Sequence, residues 1–375
     1  MVKPELNELK KLFTPRNCSI SRICGCYVDG EKNIKTTFGE TFLNLPEEET
    51  FKYFEILRKA LSGNIGKNAL NLDFPLEEEV PGTPHEFLLK LRESKLKDEA
   101  LLQEFYENVI AHYDYVGNYL ILIITDTYDV PNKTTDGIID REESDTVYDY
   151  ILCCVCPVTL SKPGLSYDNE SNGFHTRIRD WVVELPEAAF LFPAFNDRAS
   201  DIHSIMYYLK DSEEPHDDFV TAVLGCSLSL SAKTQKATFE ALIEETLGND
   251  KDYSIIQSIH ENLNELETEH KEKEIAAPLT LDKQDVKILF EKSGVDDEKM
   301  QLFDKIYDAA AGEDTTLFVS NIHPGKTYEV KTPLVTIKVD PERADLVETR
   351  DIDGRKCLVI PITDQVEVNG IEVRV

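Results

Sequence analysis

Carboxylates, an amide, a guanidinium and an imidazole crowd into the stretch Phe195-Asn196-Asp197-Arg198-Ala199-Ser200-Asp201-Ile202-His203. Asp197 and Asp201 could coordinate a divalent cation or act as acid and base, with His203 titrating near neutrality. A second acidic stretch, Thr125-Asp126-Thr127-Tyr128-Asp129, supplies two more carboxylates. Asp126 and Asp129 placed beside Asp197 would make a magnesium site of the nuclease or phosphotransferase kind. A plainer expectation stands next to this one. Ser200 or Asp201 caps a following helix, Arg198 pairs with a nearby carboxylate, and acids at a strand exit are solvated. Capping alone accounts for the composition, so Asp126, Asp129, Asn196, Asp197, Arg198, Asp201 and His203 form a candidate polar cluster in which no member has an assigned catalytic role.

Cysteines are the other reactive group. Cys24-Gly25-Cys26 and Cys154-Val155-Cys156 would each put two thiols on one face of a strand, and adjacent strands could then offer four sulfurs to zinc. Structural zinc sites favour two or more intervening residues and a turn, so buried thiols are the expectation and no metal is assigned. No Walker loop, dinucleotide-binding glycine pattern, GxSxG elbow or HExxH occurs, and no cofactor is implied. Gly63-Asn64-Ile65-Gly66-Lys67 superficially suggests a phosphate loop, but it follows a helix and lacks the spacing; it reads as a helix C-cap and turn.

The elements that must position these residues centre on three strands. Tyr119–Thr125, Tyr150–Cys156 and Trp181–Phe195 are apolar or aromatic runs bounded by turn-forming or charged residues. The first two are apolar on both faces and should lie inside a covered sheet. Residues 126–145 and 161–176 between them read as long polar loops, leaving opposite ends of the sheet if the strands form a meander. Upstream, a short helix over residues 5–13 stops at Thr14-Pro15, a strand covers Cys18–Val28, and Asp29-Gly30 starts a turn. Pro46 and three glutamates open a helix striped with Phe51, Phe54, Leu57 and Leu61. Thr83-Pro84-His85-Glu86 predicts a capping box, and a further helix runs from about Asp98 to Tyr113.

Downstream, the pattern predicts a helix from Ser200 or Asp201 carrying Ile202, Ile205, Met206 and Leu209. A helical stretch over Thr234–His270 should break at Gly248-Asn249. Glu265–Glu274 is the linker candidate, ended by Pro278. Beyond it come a helix pair, Leu281–Ser293 and Asp296–Ala311, and then strands with hairpin dipeptides Asp353-Gly354 and Asn369-Gly370. The fold class expected is α+β: a central, largely antiparallel sheet flanked by helices, with a C-terminal helix pair plus small β module. The expected regions are 1–117, 118–270 and 278–375.

Composition narrows the function classes. The 375 residues include 71 acidic and 40 basic side chains, a formal charge of −31 that repels polyanions. Basic residues never run beyond adjacent pairs, so direct nucleic-acid binding is disfavoured unless folding assembles a basic face. No signal-like run or stretch of about eighteen apolar residues appears, and the expectation is a soluble, cytoplasmic protein without membrane contact. Eight cysteines, several in apolar strands, fit reduced thiols.

The run Phe13–Lys32, continued through Phe192–Arg198 and Asp345–Arg350 to Ile360, resembles an uncharacterised bacterial family known only as a domain of unknown function, over nearly the whole chain. That resemblance implies no activity. A second set of motifs, Asp218–Cys226 followed by Ser231-Ala232-Lys233-Thr234-Gln235 and a helix, is similar to the nucleoid-associated NdpA family. The C-terminal order of a helix pair, a strand near Val335–Val339 and a hairpin beginning near Leu358–Ile360 fits the same family. It implies a non-enzymatic, nucleoid- or partner-associated protein, and carries over no functional residue.

The reading is therefore an acidic interaction protein without catalytic activity. It expects a protein partner and nucleoid association through that partner or through a folded basic face. A metal-dependent hydrolase or nuclease using Asp126, Asp129, Asp197 and His203, and an acidic DNA-mimic inhibitor, are the alternatives. The sequence leaves the oligomeric state open.

Overall fold

The computed structural model describes residues 1–133, 139–140, 146–248, 251–313, 315–323, 327–362, 366–368 and 371–373. Two units divide the chain, Met1–Ser231 and Ala232–Val375. The fold class is α+β, as the sequence predicts.

The first unit is built on β1 (Arg22–Val28), β2 (Ile34–Glu40), β3 (Ala69–Asp73), β4 (Asn118–Val130) and β5 (Thr146–Leu160). It continues with β6 (Trp181–Val183), β7 (Ala188–Phe192), β8 (Ala194–Asn196), β9 (Ala199–Asp201) and β10 (Ser204–Leu209). The sheet order is β2-β1-β4-β5-β7-β10-β3, with β6 also paired to β5. Every pairing is antiparallel. The three expected central strands are neighbours, and β4 and β5 run in register from Asn118 opposite Val158 to Val130 opposite Thr146.

Both faces are covered, which is why the central strands are apolar on both sides. On one face Ile121, Ile123, Cys153, Val155 and Phe190 pack with Leu88 and Leu91 of α3 (Pro84–Glu93), Phe105 and Val109 of α4 (Glu99–His112) and Phe219 of α5 (Asp217–Ala222). On the other, Leu120, Leu122, Ile124, Leu152 and Leu191 pack with Leu6 and Leu9 of α1 (Lys3–Lys10) and with Phe54, Leu57 and Ala60 of α2 (Glu47–Ala60). Asp98 caps α4 by accepting from the amides of Ala100 and Leu101. The expected capping box at Thr83 is not made. Glu86 accepts from the Gly82 amide at 2.7 Å, but the Thr83 hydroxyl donates to the carbonyls of Glu78 and Val80.

Three expectations are corrected here. The boundary at 117/118 cuts through a sheet, because β1 pairs with β4 and β3 with β10. Residues 181–195 are not one strand but three, β6, β7 and β8. The helix expected from Ser200 or Asp201 is strand β10. All six of its residues are buried, which a central strand covered on both faces requires and a helix with one apolar stripe does not.

The second unit has α6 (Ala232–Leu247), α7 (Tyr253–Glu272), α8 (Lys283–Lys292), α9 (Asp297–Met300), α10 (Phe303–Ala310) and α11 (Val319–Ile322). Gly248 takes φ +58° where the break was predicted; Asn249 lies outside the described residues. Phe239, Leu242, Ile259 and Leu263 of α6 and α7 share one core with Leu289, Phe290, Phe303 and Tyr307. Glu265–Glu272 is therefore helix rather than linker, and the unit begins at Ala232. Hairpins pair Tyr328–Lys331 with Thr336–Val339 and Glu348–Ile352 with Arg355–Val359. Asp353 and Gly354 turn the second with φ +52° and +74°. Asn369-Gly370 lie outside the described residues.

This unit holds one buried imidazole, His323, and one half-buried, His260. Nδ1 of His260 and Nε2 of His323 are buried without hydrogen-bond partners. Burial, with His323 and Lys236 adding to it, lowers the His260 pKa to about 4. Burial lowers that of His323 as well, against Glu267 at 3.6 Å. A depressed histidine pKa contributes stability above the unfolded value and loses it as pH falls toward the folded value. Between pH 6.5 and 4, His260 alone should remove on the order of 2 kcal/mol by pH 5. Calorimetric unfolding of the wild type and His260→Phe at pH 7 and pH 5 checks this. The variant should lose less stability on acidification, and equal losses would contradict it.

Candidate functional site

Burial decides the role of Asp126. Side chains alternate along β4, so Asp126 falls on the same covered face as Leu122 and Ile124 and is 1 % exposed. It accepts from the Tyr150 hydroxyl at 2.8 Å and from the Thr127 amide at 2.8 Å. Burial raises its pKa even though Tyr150, Ser19 and Thr127 hydrogen bonds oppose the rise. Tyr150 stacks on Tyr148 with ring centres 4.9 Å apart, and the Tyr148 hydroxyl donates to the Pro193 carbonyl at 2.6 Å. Asp126 thus anchors a polar chain inside the sheet. Asp129, on the opposite parity from Tyr128, is exposed.

The segment 195–203 is a hairpin and the strand after it. Phe195 and Asn196 of β8 pair with Ser200 and Ala199 of β9, leaving Asp197 and Arg198 as a two-residue turn with φ +50° and +57°. Positive φ at both positions is the backbone such a turn demands, and Asp is among the side chains that tolerate it. The Asp197 side chain is exposed. Arg198 points back to α1: its Nε donates to Glu8 Oε2 at 2.9 Å, and its Nη2 donates to Glu8 Oε1 and the Pro131 carbonyl, both at 2.8 Å. The Tyr128 hydroxyl donates to the same carboxylate at 2.9 Å. Arg198 therefore pairs with a carboxylate, as the plainer expectation had it, and in doing so staples α1 to the hairpin.

Asp201 caps no helix. Its carboxylate accepts from Asn196 Nδ2 and the Ser204 hydroxyl, both at 2.6 Å, and from the His203 amide at 3.0 Å. Burial works against this carboxylate, yet the Ser204, Asn196 and His203 donors outweigh it and hold the pKa below the usual range. His203 is exposed and its Nδ1 lies 2.7 Å from Glu79 Oε1, which raises its pKa. The structure thus joins Asn196, Asp201 and Ser204 in one hydrogen-bonded knot, and commits Arg198 to Glu8 and His203 to Glu79. Asp126 is buried, while Asp129 and Asp197 face solvent. Among the described residues, no three His, Cys, Asp or Glu side chains are placed to hold a metal ion.

The cysteines divide by face. Cys24, Cys26 and Cys153 belong to the core against α3 and α4, and Cys154 and Cys156 to the core against α1 and α2. With β4 between β1 and β5, the four sulfurs of the two Cys-x-Cys pairs cannot share one ion. Gly25 has its own reason: a Cβ there would lie 2.3 Å from the Phe38 ring on β2, so the ring covers the glycine. Burial pushes the Cys26 thiol up to about 12 and those of Cys153 and Cys154 well above their usual value.

Two surfaces escaped the sequence reading. An open cleft of about 600 Å³ is lined by His112, Asp114, Glu214, His216, Asp217 and Asp218 with Tyr115 and Val116. Its carboxylates make it a surface that repels anions.

The other surface is an arm between β5 and β6. Residues 161–176, read as a polar loop, contain a hairpin in which Leu165 pairs with Thr176 and Tyr167 with Phe174. Asp168 closes it by accepting from the amides of Glu170 and Ser171, and the Tyr167 hydroxyl donates to Asn172 Oδ1 at 2.5 Å. Opposed residues share a face, so Leu165, Tyr167, Phe174 and Thr176 stand together and Ser166 and His175 stand behind them. Leu165 is 76 % exposed, Phe174 74 % and Ile178 83 %. Trp181, Val182 and Val183 of β6 are exposed as well. The available signal was Asn172-Gly173 between alternating apolar residues.

A model of a family described as a domain of unknown function (DUF4317) matches residues 1–371. The chain belongs to that family. No curated protein and no solved structure matches it. Membership in DUF4317 does not show the likeness to the NdpA family. Among the described residues no helix is long and apolar enough to cross a membrane.

The geometry of the cluster makes two tests of its structural role. Arg198→Ala should destabilise the protein by about 1–3 kcal/mol, and a denaturation cycle with Glu8→Ala should find most of that loss shared between the two sites. Asp126→Leu, which strands the Tyr150 hydroxyl and the Thr127 amide, should cost about 1–3 kcal/mol, and Asp126→Asn less. Additive losses for Arg198 and Glu8 would contradict the staple.

Proposed function

We propose that this protein is a non-enzymatic, acidic interaction protein, and that the arm of residues 161–183 is its contact surface. The observation that carries the reading is the apolar face of that arm, with Leu165, Phe174 and Ile178 each more than two-thirds exposed. Contiguous apolar surface of this kind, rimmed by polar residues, is characteristic of sites where another macromolecule docks. Aromatic residues supply the anchors: Tyr167 and Phe174 are in ring contact at 5.4 Å, and Trp181 stands at the base of the arm.

Charge directs the choice of partner class. The arm holds Lys162, Arg177 and Arg179 against Asp168, Glu170 and Asp180, so its formal charge is zero while the chain carries −31. A surface without net positive charge gains nothing from phosphate neutralisation, and the acidic remainder opposes it. Nucleoid association then runs through a protein partner, with no direct grip on the duplex. The commitments of Arg198, His203 and Asp201 to neighbouring side chains support a structural use of the polar cluster over a hydrolytic one.

The test compares wild type with the double variant Phe174→Ser/Ile178→Ser. Binding partners recovered by the tagged wild type should be lost by the variant at an unchanged melting temperature, and neither protein should retard duplex DNA at low salt. Identical recovery by both would overturn the assignment of the arm, and retardation of DNA would overturn the partner class.

A further inference from the structure

Four cations of α1 and α2 stand together without an anion. Residues 1–39 hold seven basic and four acidic side chains, a net +3 in a chain of −31. Leu6 and Leu9 of α1 share a core with Leu57 and Ala60 of α2, so the two helices cover the same face of the sheet. Lys3 Nζ donates to the Gly63 carbonyl, just past α2, at 2.8 Å. Lys10 lies in the last turn of α1, and Arg58 and Lys59 lie in the last turn of α2. Burial, and then the charges of Lys3, Arg58 and Lys59, lower the Lys10 pKa, so the four are near enough to repel one another.

Helix dipoles account for Lys10, Arg58 and Lys59 but not for Lys3, since a cation in a first turn is disfavoured. Elsewhere in this unit Lys35, Lys95 and Lys210 each reach a carboxylate. Among the described residues, Lys3, Lys10, Arg58 and Lys59 form no ion pair with one. The carboxylates of α1 are committed elsewhere: Glu5 accepts from the Val2 amide at 2.6 Å, and Glu8 holds Arg198. The second half of α2, residues 54–60, offers only Glu55. Repulsion among the four is therefore relieved by an anion from outside the chain.

We infer that this face binds a short, flexible segment of a partner protein rich in Asp and Glu. Charge and geometry together choose the ligand. Tight capture of a single phosphate favours a free guanidinium fork, but Arg58 Nε already donates to the Phe54 carbonyl at 3.2 Å and the other three cations are lysines, which act as point charges. An extended polyanion such as a duplex runs past the four cations onto a body whose net charge is strongly negative. A few acidic residues confined to the face feel its cations, while charges beyond about 8 Å are screened at physiological salt. The face uses none of the arm's residues, so it stands whether or not the arm docks a partner.

Fluorescence anisotropy of labelled octaglutamate, titrated with the full chain in about 50 mM salt, tests the inference. Wild type should bind, and Lys10→Gln/Lys59→Gln should weaken binding about tenfold, the loss expected for two surface charge contacts. Lys90→Gln/Lys210→Gln, which removes the same charge from two paired lysines, and Phe174→Ser/Ile178→Ser should both bind as wild type does. Lys10→Gln alone loses no ion pair, so it should melt at or above the wild-type temperature. A wild type that ignores octaglutamate, or equal weakening by the two lysine double variants, would overturn the inference. So would a lower melting temperature for Lys10→Gln, or loss of binding in the arm variant. Tighter binding of tripolyphosphate or of a thymidine octanucleotide than of octaglutamate would overturn the ligand class.

Discussion

The antiparallel ladder between β4 and β5 is the interaction on which the rest of the first unit depends. It extends from Asn118 opposite Val158 to Val130 opposite Thr146, longer than any other pairing in the sheet. Apart from β6, which pairs directly with β5, the other strands of the sheet reach this pair through β1 on one side or β7 on the other. Its side chains feed both hydrophobic cores, so the helices of each face are held by the same two strands. Two apolar faces and a saturated backbone make this the region where opening costs most.

That burial changes what the polar residues near it can do. An aspartate at the end of an exposed strand is available for chemistry; Asp126, two positions past Ile124, is carried under the same cover and must take its hydrogen bonds from Tyr150 and Thr127. The hairpin beyond β7 solves a related problem. Its two-residue turn reverses the chain so that Arg198 reaches Glu8 and Asn196 reaches Asp201. A dense run of reactive side chains thus serves to fasten α1 and β10 onto one end of the sheet. Density of reactive residue types in a sequence measures hydrogen-bonding capacity, and a fold can use that capacity for structure as readily as for catalysis.

The arm presents the opposite case. Its polar residues, Asp168, Asn169, Glu170, Ser171 and Asn172, concentrate in the hairpin loop, and they masked the alternation of Leu165 and Tyr167 with Phe174 and Thr176 on either side. What distinguishes it from the other apolar alternations is exposure, a property of the surroundings. Trp181 shows the same limit: as part of a run extending to Phe195 it reads as core, yet β6 lies at the sheet's margin and Trp181 remains more than half exposed.

By itself the sequence determined what is local: the apolar runs of β4 and β5, α2 behind its glutamates, α4 behind Asp98, the break at Gly248 and the Asp353-Gly354 turn. Each follows from side-chain periodicity, a cap or a positive φ within a few residues. Only the tertiary structure decided that Ser204–Leu209 is a strand, since its apolar spacing suits a helix until both faces are seen to be covered. The same holds for the unit boundary at Ser231, for the separation of Cys24 and Cys26 from Cys154 and Cys156, and for the partners of Asp126, Arg198 and His203. These depend on contacts between residues far apart in the chain, Arg198 with Glu8 being the clearest. Spacing along the chain carries no record of which distant side chain will stand opposite.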